Sequence, residues 1–144
     1  MDIGQMAHPD PTNSARVVLV VDDELFLLEY VRLVLVRSGF RVMTANTGEE
    51  AWQLISNPEN SIGLVLTDVV MPGSFDGFEL AERIRRRQLG IPVLFMTGAL
   101  RPENSNSDSP DSKRVFLQKP FGPDQLIAIV RESLKSKPVN TETD

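Results

Sequence analysis

Five polar residues in this chain are of types that can move or hold a phosphoryl group: the acidic pair Asp22-Asp23, then Asp68, Thr97 and Lys119. Taken singly, each has an ordinary explanation. An Asp pair after an apolar run is more often a helix N-cap than a metal site, and a lone Asp, Thr or Lys at a strand end is a turn-forming residue or a solvated charge. Brought together they mean something else. Three neighbouring carboxylates repel one another unless a cation neutralises them, and a small oxygen-seeking ion such as Mg²⁺ suits a few carboxylates plus water. Beside such an ion Asp68 is a competent nucleophile toward phosphorus. The Lys119 ammonium and the Thr97 hydroxyl are suitable donors to the transferring oxygens.

Those residues converge only if the elements that carry them do. Val17 to Val21 is an unbroken apolar run ending in Asp22-Asp23, as expected of a strand buried on both faces. Leu27, Leu28, Val31, Val34 and Leu35 then fall at helical spacing, and Ser38-Gly39 closes the helix. The alternation continues. Phe40 to Ala45 is a second strand, Gly48 to Ser56 a helix, and Ile62 to Thr67 a third strand running into Asp68. Phe78, Leu80, Ala81 and Ile84 mark a helix that ends in Arg85-Arg86-Arg87 and stops at Gly90, followed by a fourth strand over Ile91 to Met96. Val115 to Leu117 is a short fifth strand, and Pro123 opens a last helix that runs to about Lys135.

Strand-helix alternation of this length predicts an α/β domain, a doubly wound five-stranded parallel sheet with helices on both faces. Ligands of such sheets sit beyond the carboxyl ends of the strands, where all five polar residues lie. One connection departs from the pattern. Residues 100–114, LRPENSNSDSPDSKR, hold two prolines and almost nothing apolar, which predicts a short or disordered fourth helix. Residues 1–15 and 137–144 are expected to be flexible tails around a domain over 16–136.

At 144 residues the chain has room for one ordinary domain. It contains no cysteine, so disulfides, thiolate metal sites and cysteine nucleophiles are excluded and a reducing cytoplasm is the compatible compartment. The net charge of −5 argues against binding nucleic acid through its phosphates. Up to Pro72 there are 4 basic and 10 acidic residues, −6, and beyond it 11 basic and 10 acidic, +1, so a cation belongs with the first half. Leu25 to Val36 is apolar over 12 residues but is interrupted by Glu29 and Arg32. That is short of the roughly 20 residues a membrane span needs, and Met1 to Ser14 lacks the features of a signal peptide.

The constellation resembles the receiver domain of two-component response regulators. The resemblance rests on Asp22-Asp23, on Asp68 in TDVVMPG, on Thr97 in MTG and on Lys119-Pro120 in FLQKPF, with 45 residues from Asp23 to Asp68 and 22 from Thr97 to Lys119. It covers about Val17 to Leu134 and implies a flavodoxin-like receiver fold. It further implies that Asp68 is the phosphoacceptor, and that Asp23, Asp68 and the Val70 backbone carbonyl bind Mg²⁺ directly, with Asp22 acting through water. Lys119 would contact the phosphoryl group, ahead of a cis bond to Pro120. Thr97 and the aromatic Phe116 would form the switch.

The chain departs from the family pattern in three places. MPGSFDGFEL is one residue longer than the usual loop after the acceptor, Phe116 lacks a tyrosine hydroxyl, and the weak 100–114 segment falls on a face that receivers use for output. Val70 and Ala99, on the water approach in this family, supply no base. Leu25, Phe26, Leu33 and Val36 exceed what one buried stripe needs, and are read either as core or as a kinase-docking patch. Arg83 and Arg85 to Arg87 are read as a solvated helix end, Trp52 as a packing residue, and His8 as inert.

The expectation is therefore a stand-alone cytoplasmic receiver that takes a phosphoryl group from a histidine kinase or histidine phosphotransfer protein. It would act through an effector protein, a homodimer or onward phosphotransfer, with phrases similar to receivers found with hybrid histidine kinases. Two rivals are a Mg²⁺-dependent phosphohydrolase, opposed by Val70 standing where haloacid-dehalogenase-like phosphatases carry a second Asp, and a phosphorylation-independent scaffold. The expected role is that of a signalling domain, not an enzyme acting on other substrates.

Overall fold

The structure is a computed structural model that describes residues 16–98 and 114–135. The expected tails, and the 100–114 connection apart from Arg114, lie outside the described residues. Five strands form one parallel sheet: β1 (Val17–Val21), β2 (Arg41–Ala45), β3 (Ile62–Asp68), β4 (Val93–Thr97) and β5 (Val115–Gln118). Four described helices cover it: α1 (Leu25–Arg37), α2 (Gly48–Ile55), α3 (Gly77–Arg86) and α4 (Pro123–Lys135). A 3-10 turn at Pro58–Asn60 leads into β3.

The strand order is β2-β1-β3-β4-β5, so the chain steps outward from β1 to β2 and then crosses to the other side of β1. That reversal opens a crevice at the carboxyl ends of β1 and β3. Alternate residues of the central strands supply two cores. Val18, Val20, Leu64, Leu66, Leu94 and Met96 face α1 and α4, where Leu28, Val31, Leu35, Leu126 and Val130 pack against them. Leu19, Val21 and Val65 face α2 and α3 through Ala51, Ile55, Leu80 and Ile84. Both faces of the central strands are thus dry, which is why their sequences are continuous apolar runs.

Two helix ends set the element boundaries. At the end of α1, Gly39 takes φ +95°, the Phe40 N–H reaches the Leu35 carbonyl at 3.0 Å and the Gly39 N–H reaches Val36 at 3.0 Å. This Schellman closure consumes Phe40, so β2 starts at Arg41, one residue later than the apolar pattern predicts. The end of α3 repeats the geometry without a glycine. Gln88, at φ +56°, donates to Arg85 at 3.0 Å and Leu89 donates to Ile84 at 3.3 Å, so the helix stops before the expected Gly90. The fourth strand also starts later than expected, at Val93, because Pro92 has no N–H to give the ladder.

Candidate functional site

The crevice between β1 and β3 is acidic. In register, Val21 lies beside Thr67, so Asp22, the next residue after β1, emerges beside Asp68 at the end of β3. Asp22 is fully buried, and its Oδ1 accepts the Glu24 N–H at 2.8 Å in the turn into α1. The N-cap reading of the pair is therefore replaced. Glu24 occupies the N-cap of α1 without a side-chain bond, while Asp22 ties down the preceding turn. Carboxylate oxygens of Asp22, Asp23 and Asp68 lie within 4.8 Å of one another, Asp23 exposed and Asp68 half-buried.

Lys119 is the cation that reaches this group. Its Nζ lies 3.3 Å from Asp68 Oδ1 and 3.5 Å from Asp22 Oδ2. The first distance is a hydrogen bond, whereas the second is an ion pair that leaves Asp22 Oδ2 buried with no hydrogen-bond partner. Lys119 is delivered by β5, where its N–H donates to the Thr97 carbonyl at 2.8 Å, and the Lys119–Pro120 peptide bond is cis, as the resemblance implies. Thr97 ends β4 opposite Gln118. Val70 follows two residues after Asp68, with its side chain 75% exposed at the rim.

Electrostatics follow from this arrangement. Burial pushes the Asp22 carboxyl above its ordinary range, opposed by the Glu24 N–H and by Lys119, while the Asp23 charge pushes the same way as burial. Asp68 is also pushed up, first by burial and next by the Asp22 charge, with Lys119 opposing. For Lys119 burial works against the ammonium, but Asp22 and Asp68 outweigh it and hold the group above its ordinary value. Three carboxylates share one ammonium, and one oxygen is orphaned in a dry position. A hard divalent cation fits that donor set, and water carried by it would supply the partner that Asp22 Oδ2 lacks.

The backbone around Asp68 is held from behind. A Cβ on Gly77 would overlap the Asp68 carbonyl oxygen, so only glycine lets α3 start against the end of β3. The Gly77 N–H donates to the Val69 carbonyl at 3.0 Å, and Asp76 caps α3 through the Glu79 N–H at 2.9 Å. The longer loop is absorbed between buried Met71 and Phe75, with exposed Gly73 at φ +87°. Phe75 lies against Gly48 at the start of α2, and the Arg83 guanidinium sits 4.3 Å over its ring.

A model of the response regulator receiver domain matches residues 18–131. The chain belongs to that family. Among curated relatives, the receiver is 28% identical over 121 residues to the response regulator GtcR of Aneurinibacillus migulanus, covering 84% of this chain and 48% of the relative. It is 32% identical over 128 residues to the sensor kinase CckA of Brucella abortus, covering 89% of this chain but 13% of that protein. The receiver thus spans half or less of these relatives. Among solved structures, a CheY-like receiver domain protein from Methanospirillum hungatei superposes with a TM-score of 0.73 at 28% identity, covering 85% of this chain and 95% of that one. NtrX from Brucella abortus gives 0.75 at 29% identity over 89% of this chain and 29% of its own.

Of the site residues expected from sequence, Asp22, Asp23, Asp68 and Lys119 meet in one cluster, and Thr97 and Val70 border it. Phe116 stands on β5, its ring 5.5 Å from that of Phe95 on β4. Leu25, Phe26, Leu33 and Val36 are 62%, 93%, 40% and 45% exposed, which removes them from the core. Arg83, Arg85 and Arg86 pair with Glu79 and Glu82 at the surface, as a helix end should, and Arg83 and Arg87 also lie over Phe75 and Trp52. Sequence reasoning passed over the grouping of Phe78, Phe95 and Arg114. The available signal was Arg114 standing two residues before Phe116, at the entry to β5.

Proposed function

We propose that this receiver works in two-component signalling as a phosphoacceptor, with Asp68 taking the group from a phosphohistidine on a kinase or histidine phosphotransfer protein. The observation that carries this reading is one ammonium, Lys119, lying between Asp68 at 3.3 Å and Asp22 at 3.5 Å beside a third carboxylate. A carboxylate oxygen of Asp68 attacks phosphorus, the P–N bond of the donor breaks with its electron pair left on the imidazole, and an acyl phosphate forms. Lys119 Nζ, 3.3 Å from Asp68 Oδ1, would follow one phosphoryl oxygen and the Thr97 hydroxyl would take another. Asp23, Asp68 and the Val70 carbonyl would hold Mg²⁺ directly, with Asp22 acting through water. When bound, Mg²⁺ neutralises the charge that gathers on the phosphoryl oxygens.

Thr97 and Phe116 form the switch, and the readout is altered binding to an effector or a second copy, or onward phosphotransfer. Leu25 and Phe26, exposed in the first turn of α1, follow directly on the Asp22 turn and suit docking by the donor. A cytoplasmic setting is part of this reading, in keeping with a sequence free of cysteine. No described helix is long and apolar enough to cross a membrane, and the acidic balance disfavours nucleic acid. The test is intact mass after incubation with Mg²⁺ and a small-molecule phosphodonor. Wild type should gain one phosphoryl group, lost in Asp68→Asn and with chelator. Retained labelling in Asp68→Asn overturns the assignment.

A further inference from the structure

Phe95 lies on the face of β4 opposite Leu94 and Met96, and it is 1% exposed. Two rings contact it from different elements. Phe78, the second residue of α3, stands with its ring centroid 5.0 Å away at 56°, and Phe116 on β5 stands 5.5 Å away at 34°. Both separations fall in the range of favourable tilted aromatic pairs. Arg114 covers the group, its guanidinium carbon 4.3 Å from the Phe78 ring centre and 5.5 Å from that of Phe95. Arg114 immediately precedes β5, and its guanidinium and the switch ring of Phe116 both lie against Phe95.

The other end of this group is anchored at the site. Phe78 follows Gly77, whose Cα stands so close to the Asp68 carbonyl that no side chain fits, and the Gly77 N–H is bonded to Val69. A displacement of the Asp68 backbone therefore moves the start of α3, and with it the Phe78 ring. Packed aromatic side chains pass such displacements on because the interior has little free volume to absorb them.

We propose that Phe78 is a positioning residue for the switch: through Phe95, and under the cover of Arg114, it couples the start of α3 behind Asp68 to the Phe116 ring on β5. This is a second route from the acceptor to the switch ring, separate from the one through Thr97, and it rests on reading Asp68 as the phosphoacceptor.

The probe is beryllofluoride in excess Mg²⁺, titrated into wild type, Phe78→Leu, Phe116→Leu and the double variant, with ring-labelled phenylalanine NMR reporting Phe116. Phe95 is left intact, so the core beneath the pair is kept. Coupling through a shared partner predicts that Phe78→Leu changes the beryllofluoride affinity by factors differing about threefold or more between the Phe116 and Phe116→Leu backgrounds. Phe78→Leu and Arg114→Gln should both move the Phe116 ring resonances, and Arg114→Lys, which keeps the cation, should restore them. Equal factors in the two backgrounds, or Phe116 resonances unmoved by Phe78→Leu, overturn the coupling while leaving the acceptor reading standing. A wild-type protein that binds no beryllofluoride overturns the acceptor reading and the inference with it.

Discussion

Replacing Lys119 with methionine keeps most of the apolar stem and removes the one ammonium that, among the described residues, faces Asp22 and Asp68. With each carboxylate about 3.3–3.5 Å away, the gross attraction is about 5 kcal/mol per pair at an effective dielectric constant near 20. Part of this only offsets the desolvation of Lys119, which is 21% exposed in the ion pair, and of Asp22, which is fully buried. Breaking a fully buried pair costs about 3–5 kcal/mol; with Asp68 and Lys119 partly open to water, a net loss of about 2–3 kcal/mol is expected at pH 7 without metal. For a domain of this size that is a fall in Tm of roughly 8–12 °C.

The pH dependence has a definite sign. Asp22 and Asp68 are held above their ordinary pKa in the folded protein, so each lowers stability progressively as pH rises from near 3.8 through its raised folded value. Without the ammonium those values rise further and the penalty at neutral pH grows. The difference between wild type and Lys119→Met should therefore be largest near neutrality and shrink as acid protonates both carboxyls. Lys119, held above 10.5, contributes fully below that pH and loses its contribution as pH rises through its folded value, so the difference should also narrow at strongly alkaline pH. Thermal melts of both proteins in chelator across this range are the assay. A variant as stable as wild type at pH 7, or a loss that does not vary with pH, would falsify the electrostatic account of the cluster.

Mg²⁺ at about a hundredfold excess over its Kd should stabilise the wild type by about 2.7 kcal/mol at pH 7, with a smaller gain under acid, where protons compete for the raised carboxyls; Asp22→Asn should reduce the gain in a differential melt. Gly77→Ala should cost about 1–3 kcal/mol and shift the Asp68 amide resonance, since the added carbon meets the Asp68 carbonyl; an unchanged melt and spectrum would show that α3 does not bear on that carbonyl. Gln88→Gly should raise stability by about 0.5–1 kcal/mol, because Gln88 holds φ +56° at the end of α3, and denaturant midpoints will read the gain or its absence.

Much of this fold was legible because parallel strands buried on both faces leave continuous apolar runs, and each run here ends on the polar residue that enters the site. Val17 to Val21 delivers Asp22, and Ile62 to Thr67 delivers Asp68. Boundaries were legible only where the chemistry was local. Gly39 closes α1 as a glycine should, whereas α3 closes on Gln88 in a left-handed conformation that no composition rule selects, and Pro92 delays β4 although Ile91 is apolar. The clustering of Asp22, Asp23 and Asp68 followed from topology, since they lie at carboxyl ends beside the β1–β3 reversal, whereas Lys119 reaches them from the end of the edge strand β5 by the length of its side chain. The orphaned oxygen of Asp22 and the Phe78–Phe95–Phe116 contacts depend on packing between α3, β4 and β5. Pairwise distances between distant segments have no signature in a single sequence. Even the exposure of Phe26 was undetermined until the twist of α1 against the sheet decided which apolar residues faced out.

The central claim is that Asp68 is the residue that accepts the phosphoryl group, and reductive trapping tests it most directly. The protein is labelled with a small-molecule phosphodonor and Mg²⁺, treated with borohydride, which reduces an acyl phosphate to an alcohol, and digested for peptide mass spectrometry. Reduction is predicted at residue 68 and at no other position, and to disappear with chelator. Reduction at Asp22 or Asp23 instead, or a labelled protein with residue 68 unreduced, would contradict the account.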